Sequence, residues 1–583
     1  MALHSDELWK HKWGFKDTAF VIQLDRSVMM TGNRYPLSGC KLPYLLPYIE
    51  ASFGIELDPE VQQTEKSEQA VASPRKNSNF CEALSCLFAE HQYTFDDEAR
   101  LVHSHGQTTS EEIHQVLYSE LERVVDLVFH CESEKDAQAL LSLAQEHNVC
   151  LVPFGGGTSV SAALKLPKNE KRMIVAVNLQ RMNQIEWIDR ENLRACVQAG
   201  ITGAELEAQL NAAGFTCGHE PDSLEFSTLG GWIATNASGM KKNRYGNIEQ
   251  IVENITMITS AGCFEQSQPL ARASMGIQPQ NLLFGSEGNL GIITKAIVKI
   301  HRLPDVKQYS SIVFPCFDLG LRFLRQLSQS GAIPASVRLV DNAQFRLAQS
   351  LKPQTSGFKA WSDKIKKIYL LKVRGFDPKT MVAATIVFEG SAEEVAYQKA
   401  TIRQLAQAYR GLIAGANNGQ RGYALTFAIA YIRDFLLSLQ IIGETFETTI
   451  PWSQIQSVCQ AVEDKLNQEH QRYNFPGKPY LSYRVTQLYH TSVCVYFTMG
   501  LYTKGVDNPA EKVSKIEHIL RQTIIEQGGS ISHHHGVGKI RKDFLKQTLS
   551  PASIELLHQI KQSVDPNNIF AIGNNVFHDE FKQ

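Results

Sequence analysis

The chain has 583 residues, 43% hydrophobic and 20% charged, the composition of a globular protein long enough to bury several cores. A formal net charge of -2 excludes general attraction to nucleic acid or anionic membrane and leaves only local basic patches. Eleven cysteines with no CxxC pair exclude a disulfide framework and read as reduced thiols of an intracellular protein.

The first fifteen residues mix His, Asp, Glu, Lys and Trp without an apolar run, so no secretory signal is expected. Residues 1–119 read as a helical and irregular region. Within it, 58–79 is rich in Gln, Glu, Ser and Lys and is expected to be a mobile linker, with a short helix at 80–91 after it. Residues 124–129 are β-rich. Ser133 then caps a helix, with Asp136 three residues on and Ala137, Leu140, Leu141 and Ala144 along one face. Strands are expected at 149–152, 173–177, 194–198 and 291–300, and a helix at 204–213 closed by Gly214. From 303 to about 530 longer strands and helices alternate. The apolar window 423–443 contains Arg433 and Asp434, which predicts a buried helix and not a membrane span. Residues 493–499 predict a strand, and Asp565-Pro566-Asn567-Asn568 ends a helix. The last three residues, Phe581-Lys582-Gln583, do not match the Ser-Lys-Leu address. The elements predict an α+β chain divided as 1–119, 120–303, 304–530 and 531–583.

The strand at 149–152 runs into Pro153-Phe154-Gly155-Gly156-Gly157-Thr158-Ser159-Val160. Three glycines expose successive N–H groups with no Cβ in the way, and such a concavity suits phosphate oxygens. A plain tight turn explains the loop equally well when it is taken alone. No Gly-Lys-Ser/Thr follows, so it is not a P-loop, and Val160 stands where a dinucleotide fingerprint needs Gly or Ala. Two further small-residue stretches accompany it. One holds Pro221, Asp222, Ser223, Ser227, Thr228, Gly230, Gly231, Ala237, Ser238 and Gly239. The other holds Glu287, Gly288, Gly291, Ile292 and Ile293. Together the three resemble the FAD domain of the vanillyl-alcohol oxidase type of flavoprotein. The resemblance implies a two-part FAD-binding domain over about 120–303, with all these residues at the cofactor, followed by a cap built on an antiparallel sheet. His219 is the histidine beside these loops that a covalent flavin bond would need, and its Gly-His-Glu-Pro setting resembles members that hold FAD without one.

Four segments of the second half carry the remaining chemistry: Arg338 within 336–342, Arg433 beyond 421–423, Arg484 to Gln487 with Tyr496, and Ser532-His533-His534-His535-Gly536-Val537-Gly538-Lys539. Adjacent histidines do not share a face of a helix or strand, so they make poor joint metal ligands unless a loop gathers them. Arg338 and Arg433 read as structural ion pairs or as anion clamps, and Tyr496 alone reads as a core tyrosine. Taken together, the segments resemble the alkyldihydroxyacetonephosphate synthases, over most of residues 100–583. That resemblance implies an FAD-dependent exchange, without net redox change, of the acyl group of acyl-dihydroxyacetone phosphate for a long-chain fatty alcohol. It implies Tyr496, Arg338 and His533 to His535 as catalytic residues and Arg433 as substrate-binding. It also implies no metal, an apolar tunnel, peripheral membrane contact and a homodimer, with 531–583 packing back on the FAD domain. The alternative is an FAD-linked 2-hydroxy-acid dehydrogenase of the same fold. Those enzymes carry a His-x-Gly-Asp-Gly-Asn stretch that is absent here, and a Glu where His534 stands. A catalytically dead scaffold is disfavoured by the intact Tyr496, Arg433 and triplet. Eukaryotic synthases carry a peroxisomal address and none is readable, so the expectation is an intracellular protein, soluble or peripheral to a membrane, peroxisomal in a eukaryote and cytoplasmic in a bacterium.

Overall fold

The computed structural model describes residues 7–9, 11–58, 62–66, 71–353 and 368–578. Alternating apolar strands build a four-stranded sheet, in the order Tyr93–Thr94, Leu127–His130, Ile174–Asn178, Cys150–Phe154, with the last three parallel. A second, five-stranded antiparallel sheet runs Gly262–Phe264, Val252–Thr259, Ile292–Lys299, Arg194–Gln198, Ile185–Asp189. Helix Glu134–Glu146 joins them. Ser133 accepts from Asp136 N as its cap. Its apolar face packs in one core with Leu151, Val175 and Val177 of the first sheet and Ile258 and Ile292 of the second.

The third sheet is antiparallel throughout and has seven strands, in the order Leu412–Ile413, Val306–Phe314, Val382–Gly390, Ser336–Val340, Tyr480–Leu488, Ser492–Tyr502, Ile441–Pro451. Helices Phe317–Gln329, Ala392–Ala408, Ile455–Arg472 and Pro509–Glu526 contribute to one core with its apolar face. Helix Ala416–Ser438 lies over strands Val306–Phe314, Val382–Gly390 and Ile441–Pro451. The architecture is the α+β pair of FAD domain and antiparallel cap that the sequence implied. Among the described residues, no helix is long and apolar enough to cross a membrane.

The N-terminal region is less irregular than its sequence suggested. A small sheet of Phe20–Ile22, Val28–Met30 and Lys41–Leu42 and the helix Leu45–Phe53 share a core with Tyr431, Ile432 and Phe435 of helix Ala416–Ser438. Strands this short carry too few residues to show a period. The expected linker includes residues 59–61 and 67–70, which lie outside the described residues. Its described part is tied down: Gln63 N donates to Ser438 O at 2.8 Å and Lys66 N to Leu117 O at 3.1 Å, and Arg75 N donates to Asp126 Oδ1 at 2.8 Å.

Boundaries moved where caps decide. The helix expected at 80–91 runs Ser78–Leu87, because Asn77 accepts from Phe80 N, and a 3-10 turn Glu90–Gln92 follows. The helix expected at 204–213 runs Gly203–Ala212 under a Thr202/Glu205 capping box. The window 423–443 starts inside helix Ala416–Ser438 and ends in a strand, after Gln440 turns the chain at φ 60. The last segment returns to the FAD domain: Leu151 N donates to Ile569 O at 2.9 Å, and Asn574 Nδ2 donates to Ala163 O and Glu287 O at 2.9 and 2.8 Å.

Candidate active site

Between FAD domain and cap lies a cavity of about 370 Å³, in the size range of cofactor and ligand sites. One wall is mostly backbone and small side chains. Pro153, Gly155, Gly156, Gly157, Thr158, Ser159 and Val160 line it, with Pro221, Asp222, Ser223, Ser227, Thr228, Gly230, Gly231, Ala237, Ser238, Glu287, Gly288, Gly291 and Ile293. A Cβ on Gly156 would stand 1.9 Å from Phe226 O, and one on Gly155 2.4 Å from Thr228 Oγ1. The first loop therefore rests directly on the second, an approach that only glycine permits. The carboxylate of Glu287 is spent inside the protein. It accepts from Val537 N at 2.8 Å and Gly538 N at 2.9 Å, so the third loop holds the histidine segment.

Three expected site residues do not border the cavity, and these are corrections. Ile292 points into the core between the two FAD-domain sheets while Ile293 faces the cavity, as strand alternation requires. Gly239 packs behind the wall, where a Cβ would meet Glu220 N at 2.7 Å. His533 stands behind His534. His219 packs its ring on Trp232 at 4.6 Å and also lies off the cavity.

The opposite wall is made of side chains that the cap sheet presents alternately. Val337 and Leu339 enter the helix-covered core while Arg338 faces the cavity. Val485 turns inward between Arg484 and Thr486, and Val495 and Phe497 turn inward around Tyr496. Register sets Tyr496 between Arg484 on one neighbouring strand and Glu447 on the other.

The guanidinium of Arg484 lies 4.0 Å from the Tyr496 ring centroid. The rings of His535 and His534 stand 5.3 and 6.2 Å from it, and its hydroxyl donates to Thr445 Oγ1 at 3.2 Å. Burial pushes the Tyr496 hydroxyl up to about 12, with Arg484 pulling the other way. The phenol is therefore neutral and a donor. Arg338 donates to Thr426 Oγ1 at 2.7 Å and pairs with Asp222 at 3.2 Å, and Arg484 approaches the same carboxylate at 3.7 Å. Nε of each arginine is buried without a partner. Two guanidinium groups thus face one carboxylate, leaving positive charge and unused donors for an anion.

Arg433 borders the cavity, but most of its donors are spent. Nε and Nη2 donate to Asp434 Oδ1 at 2.9 and 2.6 Å, and Nη1 donates to the carbonyls of Gln107 and Thr108 at 3.0 and 2.7 Å. Gln107 N in turn donates to Gly157 O at 2.8 Å, so Arg433 braces the strap beneath the glycine loop.

The histidine triplet sits in a loop, and Glu447 gathers it. Its carboxylate accepts from the backbone N–H groups of His533, His534 and His535 and from Ser532 Oγ. Burial opposes its charge, whereas protonation of His535 or His534, the fixed charge of Arg521 and protonation of His533 each pull the carboxyl down, well below its usual range. Desolvation lowers all three imidazoles, His533 to about 3, so they are neutral at pH 7. Ligand atoms of Glu447, Cys494, His533 and His534 lie within 4.8 Å of one another. The carboxylate is already saturated by N–H and O–H donors, and His533 and His534 bond each other, Nδ1 to Nδ1, at 2.8 Å.

Arg484, Thr486 and Thr445 were not singled out as site residues from sequence, and Glu447 was missed altogether. Its setting, Glu444-Thr445-Phe446-Glu447-Thr448-Thr449, is mostly polar and carries no alternation that would mark it. The profile of the family described as "FAD binding domain" matches residues 125–266, and that of "FAD linked oxidases, C-terminal domain" matches 303–574. The chain is 41% identical over 567 residues to the alkyldihydroxyacetonephosphate synthase of Caenorhabditis elegans, covering 96% of this chain and 94% of that one. The chain belongs to the alkyldihydroxyacetonephosphate synthase family. The Dictyostelium discoideum synthase is 30% identical, covering 97% and 93%. A solved alkyldihydroxyacetonephosphate synthase superposes with a TM-score of 0.84 at 27% identity, covering 97% and 98%. As a family member the chain is an FAD-dependent enzyme. Its residues fit that cofactor: the interlocked glycine loops and the hydroxyls of Thr158, Ser159 and Thr228 offer donors for a pyrophosphate, and Gly291 and Ile293 border the same cavity, as does Ser238, which bonds Gln487 of the cap.

Proposed function

We propose that the chain is a synthase that replaces the acyloxy group at C1 of an acyl-dihydroxyacetone phosphate with the alkoxy group of a long-chain fatty alcohol, holding FAD without a covalent bond. The observation that carries this reading is the cluster of Tyr496, His534 and His535 beside the Arg338–Arg484 pair, in a cavity whose far arm is apolar. That arm is lined by Leu45, Ile49, Phe53, Leu347, Ile429 and Leu436, a lining suited to alkyl chains. Arg338 and Arg484 hold the phosphate end, with Arg433 offering its remaining Nη2–H. The neutral imidazole of His534 takes the C1 proton, which the C2 ketone makes acidic, and the Tyr496 hydroxyl donates toward the developing enolate oxygen. FAD, when bound, supplies an electron-accepting ring for the electron pair left at C1.

The proposal extends to an intracellular enzyme in peripheral contact with a membrane, working as a homodimer. The free cysteines and the exposed Ile368, Tyr369 and Val373 support the first two parts. Light scattering of the purified protein checks the third.

Anaerobic incubation with palmitoyl-dihydroxyacetone phosphate and labelled hexadecanol, without an electron acceptor, should yield ether-linked product and free palmitate. If D-lactate or 2-hydroxyglutarate bleaches the flavin and no ether forms, the dehydrogenase reading replaces this one.

A further inference from the structure

The proposed exchange treats its protons unequally. The alcohol's proton leaves with the fatty acid, so the exchange of acyloxy for alkoxy balances by itself. The C1 proton is different: it must be lost for the acyloxy group to depart and regained once the alkoxy group is in place. His534 is buried against the cavity. A proton stored there alone would leave a cation in a desolvated pocket throughout the exchange of a fatty acid for an alcohol.

The structure gives His534 a way out. Its Nδ1 meets His533 Nδ1 at 2.8 Å. Nε2 of His533 meets the Tyr489 hydroxyl at 2.7 Å. The Tyr489 hydroxyl donates to Gln487 Oε1 at 3.1 Å and accepts from Asn247 Nδ2 at 3.3 Å. Tyr489 does not border the cavity and is partly exposed, next to the exposed His490. One set of tautomers satisfies every member: His534 Nδ1–H donates to His533 Nδ1, His533 Nε2–H donates to Tyr489, and the Tyr489 O–H donates to Gln487 Oε1, from which it must turn to reach water. The unprotonated nitrogen left over is Nε2 of His534.

Resting on the synthase reading, we propose that His533 and Tyr489 are a proton relay that lends the C1 proton to solvent and returns one. In the outward half, C1–H passes to His534 Nε2 as the C–H bond breaks. Nδ1–H of His534 moves to His533 Nδ1, Nε2–H of His533 moves to the Tyr489 oxygen, and the Tyr489 O–H proton passes to water. In the return half each transfer reverses, the Nε2–H of His534 goes back to C1, and the starting tautomers are restored. Every relay group is neutral in both resting states. Lys242 steers the direction. Its ammonium lies 3.6 Å from the Tyr489 ring centroid and donates to Leu488 O, so positive charge on His533 is disfavoured and the proton moves on. Desolvation and the neighbouring His534 act on His533 in the same sense, and Glu447 opposes them. The three cradling N–H groups on Glu447 fix the loop, which leaves the imidazoles free to carry the proton.

The test reads where the product's C1 hydrogen comes from. In D2O the wild-type enzyme should place solvent deuterium at C1 of the ether product. Tyr489→Phe keeps the ring under Lys242 and removes the oxygen that passes the proton. It should bind FAD as wild type does, return the original hydrogen and lower C1 deuterium several-fold. Added imidazole should restore incorporation, which a variant that had only lost packing would not show. Should Tyr489→Phe fail to fold with FAD, His533→Gln is read in the same way, with the same expected loss. Wild-type deuterium content in these variants overturns the relay while leaving the synthase reading intact. Absence of ether from the wild-type enzyme overturns both.

Discussion

The two walls of the cavity are built by opposite means. The FAD wall is mostly backbone: short runs of glycine, serine and threonine lie on one another so closely that a methyl group on Gly156 would overlap the Phe226 carbonyl. The cap wall is mostly side chain: Arg338, Thr445, Arg484 and Tyr496 come from four strands and reach one place through alternation and register. A backbone cradle serves a cofactor that never changes, and its information is local. A side-chain constellation serves a substrate whose charge and protonation change, and its information is spread along the chain.

Breaking the cap wall should abolish chemistry and spare the cofactor. Tyr496→Phe is expected to reduce ether formation about a thousandfold, within the range for a positioned proton donor, while FAD content and melting temperature stay at wild-type values. A variant that instead loses its flavin would make Tyr496 part of the cradle. Breaking the FAD wall should do the reverse. Gly156→Ala is expected to cost about 3 kcal/mol from overpacking against fixed backbone and to yield colourless protein, seen by flavin absorbance and thermal melting. Full FAD occupancy in that variant would mean that the loops are not interlocked as described.

Glu447→Gln sharpens the comparison, because Glu447 acts on the cap wall through backbone. Replacing the ionised acceptor of three N–H groups by an amide is expected to cost about 2 kcal/mol and to lower turnover by loosening His533 to His535. Urea unfolding and steady-state rates check both. The last test concerns pH, and its effect is spread over several pH units. The unfolded chain binds a proton at each histidine below about 6.5, whereas the folded His533 refuses one until about 3, so stability present above that range falls as pH drops through it. Glu447, held below its usual range, adds to the loss at more acid pH. Each group contributes up to about 1.4 kcal/mol per pH unit. Denaturant midpoints of wild type and His533→Gln should differ by a constant amount above pH 6.5, and the wild-type advantage should shrink steadily toward pH 3 if His533 is the group concerned.

The contrast also explains what was legible. Helix Glu134–Glu146, the strand Arg194–Gln198 and most of the small-residue stretches that line the cavity could be read off the chain, because caps, short-range periodicity and glycine runs are contiguous. Ile292 was misplaced by one residue of facing, since a motif names a stretch and only the pleat decides which side each residue takes, and Gly239 lies in a loop that packs on Glu220 instead of the cavity. The small N-terminal strands were too short to show a period. Glu447 was invisible, because a lone carboxylate in a strand has no meaning until a loop some 85 residues later closes over it.

From the sequence alone came the family, through the resemblance of segments that each carry their chemistry in adjacent residues, and with the family the cofactor. The tertiary structure alone decided that Arg338 and Arg484 share Asp222, that Arg433 spends its donors bracing the glycine loop, and that His533 leads away from the cavity toward Tyr489. The reason is physical: hydrogen bonds and ion pairs of this kind depend on register and long-range packing, and neither is encoded in any window shorter than the fold.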